Sequence, residues 1–120
     1  MDYYERALSI SREIGDLSGE GRTLANIGGT YDSLSEYSQA LGYYEQALTI
    51  IHETGDRAGE GRILNNIGLI YNNLGQYSQA LAYYKQSLGI SRELGDRTGE
   101  GITLNNIGLI YNNLDEYSKS

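Results

Sequence analysis

Apolar residues along this chain recur at intervals of three and four, the spacing that places side chains on one face of an α-helix. One such stripe consists of Leu24, Ile27, Gly28, Tyr31 and Leu34. A second follows directly and consists of Tyr37, Ala40, Leu41, Tyr44, Ala47, Leu48 and Ile51. The pattern predicts helices over residues 17–33 and 36–54. Sustained alternation, which is typical of strands, is absent from the sequence.

Polar residues and glycines mark the ends of the predicted helices. Asp16 suits an N-cap, where its carboxylate accepts hydrogen bonds from first-turn N–H groups. Gly55 suits the left-handed conformation that ends many helices. Tight turns are predicted near Ser35, Gly75 and Asp115, after the first helix of each pair. Because such connections are only about two to four residues long, neighbouring helices are predicted to be antiparallel.

The whole pattern recurs with a period of 40 residues. An Asn-Ile-Gly triplet, for example, occupies 26–28, 66–68 and 106–108. Periods 1–40, 41–80 and 81–120 align without insertion or deletion. A strict period is typical of stacked arrays, so residues 1–120 are predicted to form a single repeat array. Within this frame the chain starts in a second helix and ends after a first helix, and we interpret it as a fragment of a longer array.

These positions resemble the signature of the tetratricopeptide repeat, with a large apolar residue, Leu-Gly and Tyr in one helix and Ala, aromatic, Ala in the next. The matching residues are Leu24, Ile27, Gly28, Tyr31, Ala40, Tyr44 and Ala47. The resemblance implies an all-α fold, an α-solenoid of about six antiparallel helices in a right-handed superhelix. The usual Trp and Pro are missing, and the period exceeds the usual length of about 34 residues. The chain is similar in this to the longer repeats of kinesin light chains and of bacterial multi-repeat proteins.

Charge and composition narrow the range of partners and locations. Nine Lys and Arg face sixteen Asp and Glu, a net charge of −7, which argues against nucleic acid and anionic membranes as ligands. The chain has no Cys, so disulfides, thiol catalysis and Cys-ligated metals are excluded. No apolar run reaches the roughly 18 residues of a membrane span, and no secretory signal is visible at the start. We therefore expect a cytoplasmic protein.

Candidate catalytic residues are scarce. The single histidine, His52, occurs in one repeat of three and is predicted to be a solvated surface residue, with a titrating switch as the alternative. The glycines of 59–61 open a helix, but neither a Lys-Ser/Thr pair nor a preceding strand accompanies them, as a phosphate loop requires. We predict no enzymatic activity, no cofactor and no metal site.

Asparagines supply the best indication of function. Asn is a poor helix former, yet several lie within the predicted first helices, on the face opposite Ile67 and Tyr71. The resemblance implies that this face lines the concave side of the array. An amide both donates and accepts hydrogen bonds, so a row of amides can bind the backbone of an extended peptide. The predicted peptide-binding groove comprises Arg22, Asn26, Arg62, Asn65, Asn66, Leu69, Asn72, Asn73, Asn105, Asn106, Leu109, Asn112 and Asn113.

The arginines of this set could pair with an acidic side chain or a C-terminal carboxylate, and its leucines add exposed apolar contacts. The alternative interpretation is that the asparagines only solvate a helix face or bond to each other between repeats. The predicted function is a non-catalytic protein–protein interaction scaffold that binds a peptide or protein segment on its concave face.

The two ends of the array predict a different role, that of a structural spacer or self-assembling array. The last helix lacks the partner that follows the other first helices, and the first helix is a partner of that kind. Complementary exposed ends predict head-to-tail self-association. The residues expected to be exposed at the two ends are Tyr4, Ala7, Leu8, Leu104, Ile107 and Tyr111.

Overall fold

The computed structural model describes residues 2–119, and side chains for residues 2–114. This range contains six helices and no strand, which confirms the all-α prediction. The helices are α1 (Asp2–Ile14), α2 (Leu17–Ser33), α3 (Tyr37–Thr54), α4 (Arg57–Asn73), α5 (Tyr77–Leu94) and α6 (Arg97–Lys119). The bounds of α2 and α3 agree with the predicted ranges to within one residue.

Aspartate caps begin the first helix of every pair. The Gly19 N–H donates to Asp16 Oδ1 over 2.9 Å, and Asp56 and Asp96 accept in the same way from Gly59 and Gly99. A Cβ on Gly19 would clash with the Asp16 carboxylate, which explains why glycine follows each cap three positions later. The predicted N-cap is therefore confirmed, together with a reason for its neighbouring glycine.

Left-handed residues end the second helices, as predicted for Gly55, whose φ is +78°. The turns after α2 and α4 also contain a left-handed residue, Ser35 or Gly75. The predicted turn near Asp115 is wrong, because α6 continues to Lys119. After α2 and α4, the following helix packs back through Tyr44 or Tyr84. No helix among the described residues packs on α6 in this way, so no such contact favours a turn over continued helical hydrogen bonding.

Contacts divide the chain into two compact units, Met1–Ile63 and Leu64–Ser120, here called unit 1 and unit 2. In unit 1, α2 buries Leu24 and Ile27. The Tyr44 ring of α3 approaches Gly28 so closely that a Cβ on this glycine would lie 2.9 Å from it. Tyr31 and Tyr43 stack beside this contact, with ring centroids 5.5 Å apart. The mid-helix glycine therefore permits close helix packing, at a position where glycine costs about 1 kcal/mol relative to alanine.

Unit 2 repeats this arrangement between α4 and α5. A Cβ on Gly68 would lie 2.8 Å from the Tyr84 ring, and Tyr71 stacks on Tyr83 with centroids 5.6 Å apart. A buried cluster of Ala80, Tyr84 and Ile110 joins α5 to α6. The predicted stripe did not include the position of Ile110, which is occupied by the polar Thr30 in the first period.

Candidate peptide-binding surface

The predicted groove residues of unit 2 lie on α4 and α6. On α4, Leu69 and Asn73 are exposed and the other three asparagines are half-buried. On α6, Asn105, Leu109 and Asn112 are exposed, whereas Asn106 and Asn113 are half-buried. We call these ten residues the amide stripe: Asn65, Asn66, Leu69, Asn72, Asn73, Asn105, Asn106, Leu109, Asn112 and Asn113.

One hydrogen bond joins the two helices within the amide stripe. Asn106 Nδ2 donates to Asn65 Oδ1 over 3.4 Å. The alternative that asparagines bond to each other between repeats is therefore realised for this pair. A side-chain amide has two donor hydrogens and an oxygen that accepts two bonds. One such contact leaves a donor on Asn65 and the acceptor of Asn106 with capacity for a ligand.

Asn72 lies two helical turns beyond Asn65 on the same face of α4. Its Oδ1 atom is buried and has no hydrogen-bond partner among the described residues. A buried acceptor without a partner costs about 1–3 kcal/mol. Turning the half-buried Asn72 amide so that this oxygen meets an N–H group of a ligand would recover that free energy. The other buried oxygen without a partner in the described part of the chain is the hydroxyl of Tyr84, which lies in the core of unit 2.

The remaining groove residues, Arg22, Asn26 and Arg62, belong to unit 1 and are all exposed. Arg22 lines a surface pocket of about 270 Å³ next to the loop that ends in Asp56. Asn26 uses its backbone carbonyl to accept a bond of 3.1 Å from the Thr30 hydroxyl. Among the described residues, no hydrogen bond or ion pair joins these three side chains to one another. Their placement in unit 1 therefore does not define a shared ligand position.

Asp32 occupies in unit 1 the position that Asn72 occupies in unit 2. Burial raises the pKa of the Asp32 carboxyl above its ordinary value of 3.8, because desolvation penalises the charged form. This position is therefore partly withdrawn from water in both units. In unit 2 it holds the neutral amide of Asn72, whose protonation does not change with pH.

The residues predicted at the two ends differ in exposure. Leu104 and Tyr111 on α6 are exposed, as is Tyr4 on α1. Ala7 and Ile107 are half-buried, and Ile107 packs against the cluster around Tyr84. The expectation for Leu8 is wrong, because this side chain is buried where α1 packs on α2.

Sequence reasoning missed a set of polar side-chain contacts that span the loop between helix pairs. In each period a basic residue near the end of one helix meets a glutamate in the first turn of the next. The N···O distances are 2.9 Å for Arg12–Glu20, 3.2 Å for His52–Glu60 and 3.9 Å for Arg92–Glu100. The recurring eight-residue separation was the available signal. His52 is exposed and occupies the position that Arg12 and Arg92 have in the other two periods.

Between residues 2 and 114, no three His, Asp or Glu side chains gather into a group that could hold a metal ion. No helix of the described chain combines the length and apolar character needed to cross a membrane.

Comparison with solved structures shows two helical proteins of the same fold. The crystal structure of BtubC (BKLC) from P. vanneervenii superposes with a TM-score of 0.84 at 25% identity, covering 92% of this chain and 46% of that one. The crystal structure of aspartyl phosphate phosphatase F from Bacillus subtilis gives a TM-score of 0.78 at 22% identity, covering 97% of this chain and 33% of that one. The chain thus spans less than half the length of either structure.

No curated protein matches the sequence. The family pattern of the tetratricopeptide repeat, in contrast, matches residues 2–51 and 59–120. These two ranges cover nearly all of the chain and contain the Gly–Tyr contacts described above. The chain belongs to the tetratricopeptide-repeat family.

Proposed function

We propose that this chain is a non-catalytic scaffold that binds an extended peptide segment along the amide stripe. The observation that supports this most is the buried Asn72 Oδ1 atom without a partner. Native proteins rarely retain such an atom without a reason. An N–H donor from a bound peptide backbone would satisfy it.

The chemistry of the stripe fits a peptide backbone better than a particular side chain. An extended backbone presents alternating donors and acceptors, and the amides of Asn65 and Asn106 can offer both. Leu69 and Leu109 lie exposed within the same stripe and would contact apolar side chains of the ligand. The stripe therefore selects for extended conformation and modest hydrophobicity.

Charge should contribute little to binding at this surface. None of the ten residues of the amide stripe is ionisable, although the chain as a whole has a net charge of −7. Contacts between neutral groups are not screened by salt. Binding through the stripe should therefore change little between low and high salt, whereas a ligand held by Arg22 or Arg62 should be released by salt.

Other parts of the sequence-based account stay predictions. These are the concave placement of the stripe, the right-handed superhelix, the single array over residues 1–120 and the cytoplasmic location. The names of the two structural neighbours describe those proteins, and the proposal takes neither activity from them.

A displayed library of random linear peptides, selected against the folded chain, tests the proposal. Peptides that are retained should bind Asn72→Ala/Asn106→Ala at least about tenfold more weakly, which corresponds to about 1.4 kcal/mol. The matched control is Gln79→Ala/Gln86→Ala, which removes two exposed amides of α5 outside the stripe. Failure to select any peptide, or equal binding to both variants, would contradict the proposal.

A further inference from the structure

Asp32 differs from the other half-buried carboxylates of the chain. Between residues 2 and 114, five Asp or Glu residues are half-buried. Four of them accept a backbone N–H or meet a basic side chain: Asp16, Glu20, Glu60 and Glu100. The Asp32 carboxylate has no hydrogen bond or ion pair within the described part of the chain. Withdrawing a charge from water without a partner is unfavourable, so the position is poorly suited to the unliganded protein.

Asp32 also lies at the unfavourable end of its helix. It is the second-last residue of α2, which has no basic residue in its last turn. The free carbonyls at a helix C-terminus repel an anionic side chain. The equivalent position of unit 2 holds the neutral Asn72 on the same kind of helix, so the helix does not require a carboxylate here.

The neighbouring helices do not supply a cation for Asp32. No Lys or Arg nitrogen of the described residues lies within 4 Å of its carboxylate. Helix α3, which packs on α2, contains no Lys or Arg. The one basic residue of α2 is Arg22, ten positions away, which is about 15 Å along the helix axis. That separation exceeds the distance over which exposed charges interact strongly in physiological salt.

Gly29 leaves space beside Asp32 on the same face of α2. Helical side chains lean towards the N-terminus, so the Asp32 side chain leans over the turn that contains Gly29. A Cβ on Gly29 would lie 3.5 Å from the Tyr44 hydroxyl, which is an ordinary contact distance. The equivalent position of unit 2 holds the exposed Leu69. Unit 1 therefore has room for a side chain from another molecule where unit 2 has its own leucine.

We propose that Asp32 binds a basic side chain, Lys or Arg, of a peptide segment, whose methylene stem lies across Gly29. The ammonium or guanidinium group donates charge-assisted hydrogen bonds to the carboxylate, and the stem covers the exposed glycine backbone. The net charge of −7 attracts a basic segment and repels an acidic one. The site lies within unit 1 and does not depend on a peptide bound along the amide stripe.

Parallel selections from a displayed library of random linear peptides test the inference, with wild type and Asp32→Asn as baits. Wild type should retain peptides with Lys or Arg at one fixed position. These peptides should bind Asp32→Asn about tenfold more weakly, because a hydrogen bond between charged groups is lost. The matched control is Glu53→Gln, which removes an exposed carboxylate of α3 and changes the net charge equally.

The selected peptides should bind Glu53→Gln as tightly as wild type. Equal losses for the two variants would show that only the overall charge matters, which would overturn the inference. Failure to retain any peptide, retained peptides without a fixed basic position, or equal binding to wild type and Asp32→Asn would overturn it as well.

Filling the space at Gly29 tests the site without removing its charge. Gly29→Leu introduces the residue that unit 2 has at this position, and should weaken binding of the same peptides about tenfold by occupying the place of the stem. Gly42→Leu is the control, because a Cβ on this exposed glycine of α3 would also meet no close neighbour. Thermal unfolding checks that both variants are folded. A folded Gly29→Leu chain that binds like wild type would contradict the proposed position of the stem.

A direct readout is the carboxyl ¹³C resonance of Asp32, followed through a pH titration with and without a selected peptide. The pKa of Asp32 should fall when the peptide is bound, because a nearby cation favours the charged form. A peptide with norleucine in place of its basic residue should leave the pKa unchanged. An Asp32 pKa that responds equally to both peptides would overturn the inference.

The double variant Asn72→Ala/Asn106→Ala separates this inference from the proposed function. If the selected peptides lose affinity for Asp32→Asn but not for the double variant, the inference holds and the proposed function fails. The reverse pattern supports the proposed function and overturns the inference.

Discussion

Segments 64–74 and 104–114 have the same eleven residues, Leu-Asn-Asn-Ile-Gly-Leu-Ile-Tyr-Asn-Asn-Leu, and different surroundings. In the first segment Leu64 is buried and Gly68 is in close contact with a tyrosine ring. In the second, Leu104 is exposed and a Cβ on Gly108 would meet nothing within 4 Å. Both segments are helical, so the residues determine the helix, and the presence or absence of a covering helix determines burial.

Packing and peptide binding use different faces of these two helices. The packing face is buried in the first segment and exposed in the second, whereas the amide stripe lies on the opposite face in both. Its asparagines meet across the helices through the Asn106–Asn65 bond. Substitutions at equivalent positions of the two segments therefore report on their surroundings, because the local sequence is the same.

The largest contrast is expected for the paired leucines. Leu64→Ala removes a buried side chain and should lower the free energy of unfolding by about 2–5 kcal/mol. Leu104→Ala removes an exposed one and should change it by less than about 1 kcal/mol. Urea denaturation followed by circular dichroism measures both, at a concentration where wild type is monomeric. Equal losses at the two positions would show that Leu104 is covered as well as Leu64 is.

The paired glycines should respond in opposite directions. Gly68→Ala places a Cβ 2.8 Å from the Tyr84 ring and 3.3 Å from the Ala80 carbonyl, and should destabilise by about 1–3 kcal/mol. Gly108→Ala should stabilise by about 1 kcal/mol, since alanine is the better helix former and nothing stands in its way. The direction in which each variant shifts the urea midpoint shows whether it is destabilised or stabilised. A loss at Gly108 would refute the comparison.

Asn72 and Asn112 test the amide stripe without a ligand. Asn72→Ala removes a buried oxygen without a partner as well as a poor helix former, and should stabilise the chain. Asn112→Ala removes only a poor helix former at an exposed position, a change of about 0.5 kcal/mol. The difference, about 1 kcal/mol in favour of Asn72→Ala, is measured by the same denaturation. If Asn72→Ala destabilised the chain instead, its oxygen would have an intramolecular role.

The smallest effect is expected at Asp32, the counterpart of Asn72 in unit 1. Burial raises the pKa of Asp32 in the folded chain, so its charged form opposes folding at neutral pH. The stability linked to this group is fully present below its ordinary pKa of 3.8 and is lost as pH rises through the raised value. Asp32→Asn should therefore stabilise the chain at pH 7, by no more than about 0.5 kcal/mol because solvent screens this partly exposed carboxylate.

The gain from Asp32→Asn should shrink as the pH approaches 4. Unfolding curves at pH 4, 5.5 and 7 would follow this trend. The control is Glu53→Gln, which removes an exposed carboxylate from α3. Asp16→Asn would not serve, because Asp16 also caps α2. A gain for Asp32→Asn that is constant with pH would contradict the desolvation account.

The 40-residue period and the aspartate and glycine signals were enough to predict the helices and most of their ends. Gly28 lies in the predicted apolar stripe, and glycine recurs at this position in each period although it disfavours helix. The uninterrupted α6 could not be predicted, because Asp115 resembles a turn residue as much as Ser35 does. Among the described residues no helix packs back on α6 after this position, and such packing is a tertiary property.

The positions of the amide stripe could be predicted from the sequence, but the hydrogen bonds that its amides form could not. Spacing placed Asn65 and Asn72 on one face, but the Asn106–Asn65 bond and the buried Asn72 oxygen depend on how α4 and α6 lie beside each other. Burial of Leu8 was missed for a similar reason, because α1 packs on α2 through a position outside the family signature. Local sequence specifies faces, and contacts between helices specify which atoms remain unpaired.

The most direct test of peptide binding is the NMR signal of the side-chain amides in the ¹⁵N-labelled chain, recorded with and without a peptide selected from the library. The account predicts that the largest shifts occur at Asn65, Asn72 and Asn106, with little change at Gln79 and Gln86 on α5. Shifts concentrated instead around Leu104 and Tyr111 would place the ligand on the other face of α6 and contradict the assignment of binding to the amide stripe.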